Sequence, residues 1–516
     1  MVCRLSRRTA WAAVLGLCSA CVSLATAGGA QAAAGSPRRF HPDLVRHLGA
    51  IDPVLKYRRT RLADDSNAYP LWAKAAKAVN GLSERSGRYL ADDAADRAFW
   101  QVTSGNDPFP RGEAGSGLRR WLRADERALT LLDMGIERGR CQFPDVKRSL
   151  SSKPPELDAP DRYSLALLWR MKLAKAKLLV LEGKADAAAD ELFRIARMNE
   201  MTIRGEGGLC TYLHGITGHN AAMRAMRWLA GHKTIPEATL ERLVRGVGPY
   251  TRAGEDLADV FRCTFWREPI MALDWLLNDN AKKGYSEEAI ESMLREIGAK
   301  AKAEAKTPVQ KALVSILVKR KVTPLDVSAT LRLTGSFWAR AVRNAGRPWA
   351  KRDRKVDSDL ADYVENLKKE VKGTSEALSS LAEAKAEPTS EDIERLVKTL
   401  DNVVGKQFAG YFSPSWDRSL AHMFKTRTER EATRATLAIR LYERRHAELP
   451  SDLQVLVAKG ILSSVPTDYF ARKPLRYSKD RRLLWSVGPN EMDDGGVCDR
   501  EYWKLKDIVW DIPEVR

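Results

Sequence analysis

The sequence predicts a mainly α fold of stacked antiparallel helices, with a small α+β module at the C-terminus. Between about residues 67 and 344 the apolar residues recur every three or four positions, which is the period of an amphipathic helix. Gly and Pro interrupt this pattern at intervals and mark the ends of successive helices. Alternation typical of strands appears only after Pro474. We therefore expect strands only in roughly the last 50 residues.

The composition is that of a globular protein with several domains. The chain has 516 residues, of which 44% are hydrophobic and 30% charged, so it is neither a disordered nor a membrane-embedded sequence. Its formal net charge of +19 favours contact with polyanions. Basic residues are interleaved with acidic ones, and the sequence contains no recognised nucleic-acid-binding motif. A solvated basic surface and a polyanion-binding site therefore both remain open.

Residues 1–34 have the three zones of a secretory signal peptide. Three arginines come first, an uncharged run follows over residues 9–27, and small residues precede a predicted cleavage site near Ala34. The sequence therefore predicts export to the periplasm or the medium, with no transmembrane span in the mature chain. A retained membrane anchor and a lipid anchor on Cys21 are the alternatives.

Four cysteines remain after removal of the signal peptide, an even number that export would allow to pair. Their spacing is too wide for a zinc site of the paired C-x-x-C type, so disulfides or buried thiols are favoured over metal ligation. Three disulfide pairings are then open. The four residues are Cys141, Cys210, Cys263 and Cys498.

The large helical domain is predicted over residues 35–344, and its clearest element is a helix pair over about residues 161–203. Apolar residues share one face of the first helix, Gly183 lies in the turn, and small residues form the facing stripe of the second helix. The stretch after Gly183 resembles the second half of a tetratricopeptide repeat, but no clean period of about 34 residues recurs elsewhere. Residues 345–428 are predicted as a charged helical or linker segment, because they are rich in good helix formers and poor in large apolar residues.

The C-terminal module is predicted over residues 429–516. Its first helix ends near Arg445, and a short helix capped by Asp452 follows. The pattern then changes to two strands around a turn at residues 479–481, with a third strand at residues 508–510. Helices followed by a small antiparallel sheet define an α+β module.

This module resembles the C-terminal head of the major pseudopilin of type II secretion systems. The matching segments occur in the order of that family: Leu449-Pro450, Val465-Pro466-Thr467-Asp468, Pro474-Leu475-Arg476-Tyr477, Trp485-Ser486-Val487-Gly488-Pro489-Asn490, Asp493-Asp494-Gly495-Gly496 and Asp507-Ile508-Val509-Trp510. In that family the acidic loop and the following Asp-Ile bind calcium. The resemblance therefore implies calcium as a cofactor, with Asp493, Asp494 and Asp507 as its ligands.

The residues themselves favour the same cofactor. Calcium binds carboxylate and carbonyl oxygens, and Gly495 and Gly496 allow backbone carbonyls to turn inward. Between Gly488 and Arg516 there are eight acidic and four basic residues, in a chain that is otherwise strongly basic. A polar hairpin loop that binds no metal remains the alternative.

The whole layout, with Asn67-Ala68-Tyr69-Pro70 near its start and this head at its end, is similar to a family of uncharacterised exported bacterial proteins. The favoured function is an exported non-enzymatic scaffold or interaction protein, whose protein partner the sequence does not identify. A hydrolase of envelope or extracellular polymers and a polyanion-binding protein are the alternatives. The sequence has no Gly-x-Ser-x-Gly elbow, and His214 and His219 are five apart where a helical zinc pair prefers four. We therefore assign no catalytic residue.

Overall fold

The chain folds into packed helices that lead into a small β region. The computed structural model describes residues 40–57, 61–79, 93–104, 107–144, 162–248, 255–274, 277, 325–384, 389–413, 416–498 and 506–514. The predicted signal peptide, with Cys21, lies outside these residues, as does the 278–324 part of the predicted helical domain. Within the described part, the mainly α fold predicted from the sequence is confirmed.

The α-helices of the described residues follow the predicted apolar period. In chain order they are α1 (Pro42–Leu48), α2 (Tyr69–Ala78), α3 (Asp93–Ser104), α4 (Gly112–Ala124), α5 (Glu126–Glu137), α6 (Arg162–Leu181), α7 (Ala185–Ile203), α8 (Leu209–Ala230), α9 (Glu237–Gly246), α10 (Glu255–Phe265), α11 (Val327–Ala345), α12 (Lys355–Ala384), α13 (Ser390–Leu400), α14 (Val403–Tyr411), α15 (Trp416–His446) and α16 (Leu453–Ala458). Within the described residues, no helix combines the length and the apolar character that a membrane crossing requires.

The strands of the described residues all lie between positions 467 and 511; the last three match the three predicted strands, while the sequence does not predict the first two. They are β1 (Thr467–Asp468), β2 (Lys473–Pro474), β3 (Arg476–Ser478), β4 (Leu483–Ser486) and β5 (Ile508–Asp511). β1 and β2 form one antiparallel pair, and β3, β4 and β5 form an antiparallel sheet in that order. In this sheet Arg476 is paired with Trp485, and Ser486 with Ile508. The sheets are therefore small and antiparallel, as expected for the end of the chain.

Helices α6 and α7 occupy the predicted helix pair and pack against each other, and α7 packs in turn against α8. The turn between α6 and α7 contains Gly183 with a φ of +73°, a conformation that glycine adopts without a steric penalty. Helix α8 approaches α7 closely at Gly218, because a Cβ atom there would lie 2.2 Å from Oδ1 of Asn199. The absence of a side chain at Gly218 thus lets α8 approach α7 closely, at an interface next to the predicted helix pair.

Helix α15 lies at the centre of the second half of the molecule. It packs against α8, α9, α12, α16, β1 and β4. Its alanines Ala432, Ala435 and Ala438 are fully buried, and polar side chains between them are buried as well. Because α15 begins at Trp416, the predicted start of the C-terminal module at residue 429 falls inside this helix. The helix therefore belongs both to the helical part of the chain and to the β region.

The segment predicted as a charged linker packs onto the β region at its N-terminal end. The Trp349 side chain is buried, and its ring centroid lies 5.3 Å from that of Phe424 and 5.0 Å from that of Phe470. The indole N–H of Trp349 donates to the carbonyl of Pro489 at 3.1 Å. Arg352 stacks over the Trp349 ring and pairs with Glu491. Residues around Trp349 are thus a packed junction rather than a free linker.

Candidate functional site

The acidic loop predicted to bind calcium follows β4 and leads towards β5. Its two glycines, Gly495 and Gly496, have φ angles of +73° and +78°, so the backbone there needs residues without a side chain. At Gly496 a Cβ atom would also lie 2.9 Å from the side chain of Leu483. The loop therefore folds back onto β4, and this brings its carboxylates towards the residue that precedes β5.

Asp507 is the buried carboxylate of this region, with none of its surface exposed. Its Oδ2 atom accepts a hydrogen bond from the backbone N–H of Gly496 at 2.7 Å. Its Oδ1 atom is buried and has no hydrogen-bond partner among the described residues. A buried carboxylate oxygen without a partner destabilises the folded state. A cation or a hydrogen-bond donor bound at Oδ1 of Asp507 would therefore stabilise the protein.

The charges of Asp493 and Asp494 act on Asp507. Burial raises the pKa of Asp507 above its usual value, and the nearby carboxylates of Asp493 and Asp494 raise it further, while the backbone N–H groups of Gly496 and Asp494 lower it. The structure thus brings the three predicted residues into one electrostatic neighbourhood. A bound cation would relieve this repulsion between like charges.

Two of the three carboxylates already have other partners. Asp493 accepts hydrogen bonds from the indole N–H of Trp485 at 3.0 Å and from Arg476, and Asp494 accepts one from the side-chain amide of Asn490 at 2.9 Å. Within the described residues, no group of three His, Cys, Asp or Glu side chains is arranged closely enough to hold a metal ion. Of the three, Asp507 is therefore the residue whose present environment best fits a cation.

The four predicted disulfide candidates form no disulfide with one another in the described part of the chain. Cys141 and Cys263 are buried, and the Cys263 thiol donates to the carbonyl of Glu206 at 3.0 Å. Cys210 and Cys498 are exposed. The alternative of buried thiols thus describes two of the four, and the structure contains no disulfide among them.

A second polar site lies where α15 meets α8 and β5, and the sequence reasoning missed it. Glu429 on α15 is buried; one of its carboxylate oxygens accepts from Arg227 on α8 at 2.5 Å and the other from the indole N–H of Trp510 on β5 at 2.6 Å. Arg227 also donates to Thr433. The carboxylate of Glu429 therefore joins the helical part of the chain to the last strand.

A small cavity opens beside this site, between α7, α8 and α15. Its walls include Glu200, Tyr212, His219, Thr426 and Arg427. Its free volume of about 20 Å³ is room for one or two water molecules and is too small for a sugar ring or a peptide. This cavity therefore does not support the alternative of a polymer hydrolase.

His219, in the wall of this cavity, should make stability depend on pH. Burial lowers its pKa from 6.5 to about 4, and the Glu200 carboxylate offsets this only in part. The unfolded chain takes up the proton first as the pH falls, so stability present above the unfolded pKa is lost between pH 6.5 and about 4. We expect a loss of about 2 kcal/mol between about pH 8 and about pH 5.

Urea unfolding at a series of pH values measures this contribution. In a His219→Gln variant the difference in free energy of unfolding between about pH 8 and about pH 5 should shrink by about 2 kcal/mol. His446 lies exposed at the end of α15, so His446→Gln serves as the matched control for loss of a histidine. An unchanged pH dependence in the His219 variant would mean that this histidine is accessible to protons in the folded protein.

Comparison with known proteins adds no relative. No family model matches the chain, and neither the curated proteins nor the solved structures give a significant match. The class of protein is therefore defined by its fold alone: a mainly α protein with small antiparallel sheets at its C-terminal end.

Proposed function

We propose that this chain is an exported, non-enzymatic scaffold or interaction protein whose C-terminal module binds one calcium ion. The observation that carries the calcium proposal is the buried, unpartnered Oδ1 atom of Asp507 next to the charges of Asp493 and Asp494. Export is supported by the basic, uncharged and small-residue zones of residues 1–34. The resemblance of the module to the pseudopilin head supports the same ligand set.

In this proposal Asp493 and Asp494 exchange Arg476 and Asn490 for the ion, which the three carboxylates then hold together with nearby backbone carbonyls. When bound, calcium supplies positive charge that balances the carboxylates and binds oxygen atoms of both the acidic loop and Asp507. Two hydrogen bonds position Asp507: the backbone N–H of Gly496 donates to Oδ2 of Asp507, and the backbone N–H of Asp507 donates to the carbonyl of Val497 at 3.2 Å. The loop is thereby tied to the start of β5.

A scaffold role is supported by the positions of the buried carboxylates, which lie between separate helices and strands. Glu429 joins α8, α15 and β5, and the carboxylate of Glu431 on α15 pairs with Arg434 and accepts from the backbone N–H of Thr467 on β1. These interactions link separate elements of the described structure. Such an arrangement fixes the helices and strands relative to one another, as a protein that presents a binding surface to a partner requires.

Hydrogen exchange tests the calcium proposal locally. Calcium sites in extracellular modules often have Kd values of about 0.1–1 mM, so about 10 mM calcium should stabilise the loop by at least about 1.4 kcal/mol. Exchange in peptides covering residues 487–498 and 506–514 should therefore slow by about tenfold or more relative to the protein with chelator. Other regions should change little.

The variants separate a specific site from general salt effects. Asp507→Asn keeps an acceptor for the Gly496 N–H but loses the charge, so the protection by calcium should disappear. Asp480 is exposed in the β3–β4 turn, and Asp480→Asn should respond to calcium like the wild type. Equal exchange with calcium and with chelator in the wild type would show that the acidic loop binds no metal.

A further inference from the structure

Helix α4 carries a row of exposed arginines that continues into the next helix. Arg120 and Arg123 are three residues apart on α4, and Arg127 follows in the first turn of α5; all three are exposed. Only Asp125 separates the two helices, and its N–H donates to the carbonyl of Trp121. At a rise of 1.5 Å per residue, Arg120 and Arg123 are about 4.5 Å apart along the axis of α4, and Arg127 follows four residues later in the chain.

These arginines differ from those in the centre of the molecule. Arg227, Arg434 and Arg482 each pair with a glutamate: Glu429, Glu431 and Glu443, respectively. In contrast, Arg120, Arg123 and Arg127 make no ion pair or side-chain hydrogen bond anywhere in the described part of the chain. Residues 119–127 contain four arginines and two acidic residues, Asp125 and Glu126, so this row keeps an excess of positive charge.

The chemistry of the row fits phosphate groups. The planar guanidinium group binds phosphate oxygens through two parallel hydrogen bonds, and a row of three can bind successive phosphates of one chain. The apolar residues of α4, Leu118 and Leu122, are buried in the protein. Of the large hydrophobic residues exposed in the described structure, none lies on α4 and one, Met134, lies on α5, so the two helices offer a bilayer no continuous apolar face to insert.

We propose that Arg120, Arg123 and Arg127 form a binding surface for a soluble, linear polymer of phosphate groups. Three phosphate contacts predict an affinity that falls with salt, with a slope of log K against log salt concentration of about −2. This surface lies on α4 and α5 and does not depend on the calcium site, so failure of either proposal leaves the other standing.

Binding of labelled long-chain inorganic polyphosphate to the full chain tests the proposal by fluorescence anisotropy. The variant R120E/R123E/R127E should bind at least about tenfold more weakly and lose most of the salt dependence. The matched control is K368E/K369E/K372E on α12, which changes three exposed lysines and alters the net charge equally. This control should bind within about threefold of the wild type. Circular dichroism establishes that both variants are folded.

Two results would overturn the proposal. If both variants lose the same affinity, polyphosphate responds to overall charge and the row is not a site. If vesicles containing an anionic phospholipid bind the wild type while polyphosphate does not, the surface recognises a membrane instead of a soluble polymer.

Discussion

Replacement of Glu429 by glutamine should lower the free energy of unfolding by about 3–5 kcal/mol, because the change leaves the charge of Arg227 buried without its partner. Burial alone would raise the pKa of Glu429, but the charge of Arg227 and the hydrogen bonds from Trp510 and Arg227 outweigh it, so the net pKa is lowered. The stabilisation from Glu429 is therefore present above the unfolded-state pKa and is lost as the pH falls. The difference between variant and wild type should accordingly shrink below about pH 4.

A double-mutant cycle separates the ion pair from other effects of this change. Arg227→Met alone should also destabilise strongly, while the double variant should be more stable than the sum of the two single changes predicts. Trp510→Phe removes one hydrogen bond to the buried Glu429 carboxylate and part of a buried ring, and should cost at least about 2 kcal/mol. Additive single effects in urea unfolding would show that Glu429 and Arg227 do not interact in solution.

Replacement of Glu191 by glutamine should cause a second large loss, also about 3–5 kcal/mol. Its carboxylate accepts from the fully buried Lys172 at 2.6 Å, and Lys175 and Arg194 lie on its other side at 3.2 and 3.3 Å. Burial alone would raise the pKa of Glu191, but these three cations lower it on balance. Without the carboxylate, Lys172 keeps only Asp133 at 2.7 Å and three cations remain together.

The control for this prediction is the preceding residue. Asp190 is exposed and pairs with Arg242 at 3.2 Å, so Asp190→Asn should change the free energy of unfolding by less than about 1 kcal/mol. Chemical denaturation of the three proteins at neutral pH measures both effects. Similar values for the Glu191 and Asp190 variants would mean that the buried cluster is hydrated in solution.

The local patterns of the sequence predict much of the fold. The turn at Gly183 and the apolar stripes on either side predict α6 and α7, because helix packing at this point uses residues close in the chain. The alternation around residues 479–481 predicts the β3–β4 hairpin for the same reason. The short helix α16 begins after Asp452, whose carboxylate accepts from the N–H of Val455 as a helix cap.

The start of α15 and its buried charges could not be predicted in this way. The polar residues between Trp416 and Glu429 look like a surface segment, but Ser419, Thr426 and Thr428 among them are buried, because α8, α12 and the β region surround the helix. Glu429 and Arg227 are 202 positions apart, so no local pattern shows that they meet. The one local indication is the spacing of small residues from Ala432 to Ala438, which is typical of a helix packed on every side.

For the candidate calcium site, the resemblance implies a set of ligand residues but not the environments of those residues. The sequence cannot show that Asp507 is buried with an unpartnered oxygen, since this depends on the fold of the Gly495–Gly496 turn against β4. It also cannot show that Asp493 is held by Arg476 and Trp485. A calcium ion at this site would therefore compete with Arg476 for Asp493, and we expect weak binding.

Equilibrium dialysis of the full chain against radiolabelled calcium tests the central claim most directly. Over about 0.1–10 mM free calcium the wild type should bind close to one ion per chain with a Kd of about 0.1–1 mM. Asp507→Asn should bind none at the same concentrations, and Asp480→Asn should bind as the wild type does. Absence of binding by the wild type up to about 10 mM, or equal binding by the Asp507 variant, would contradict a calcium site built around Asp507.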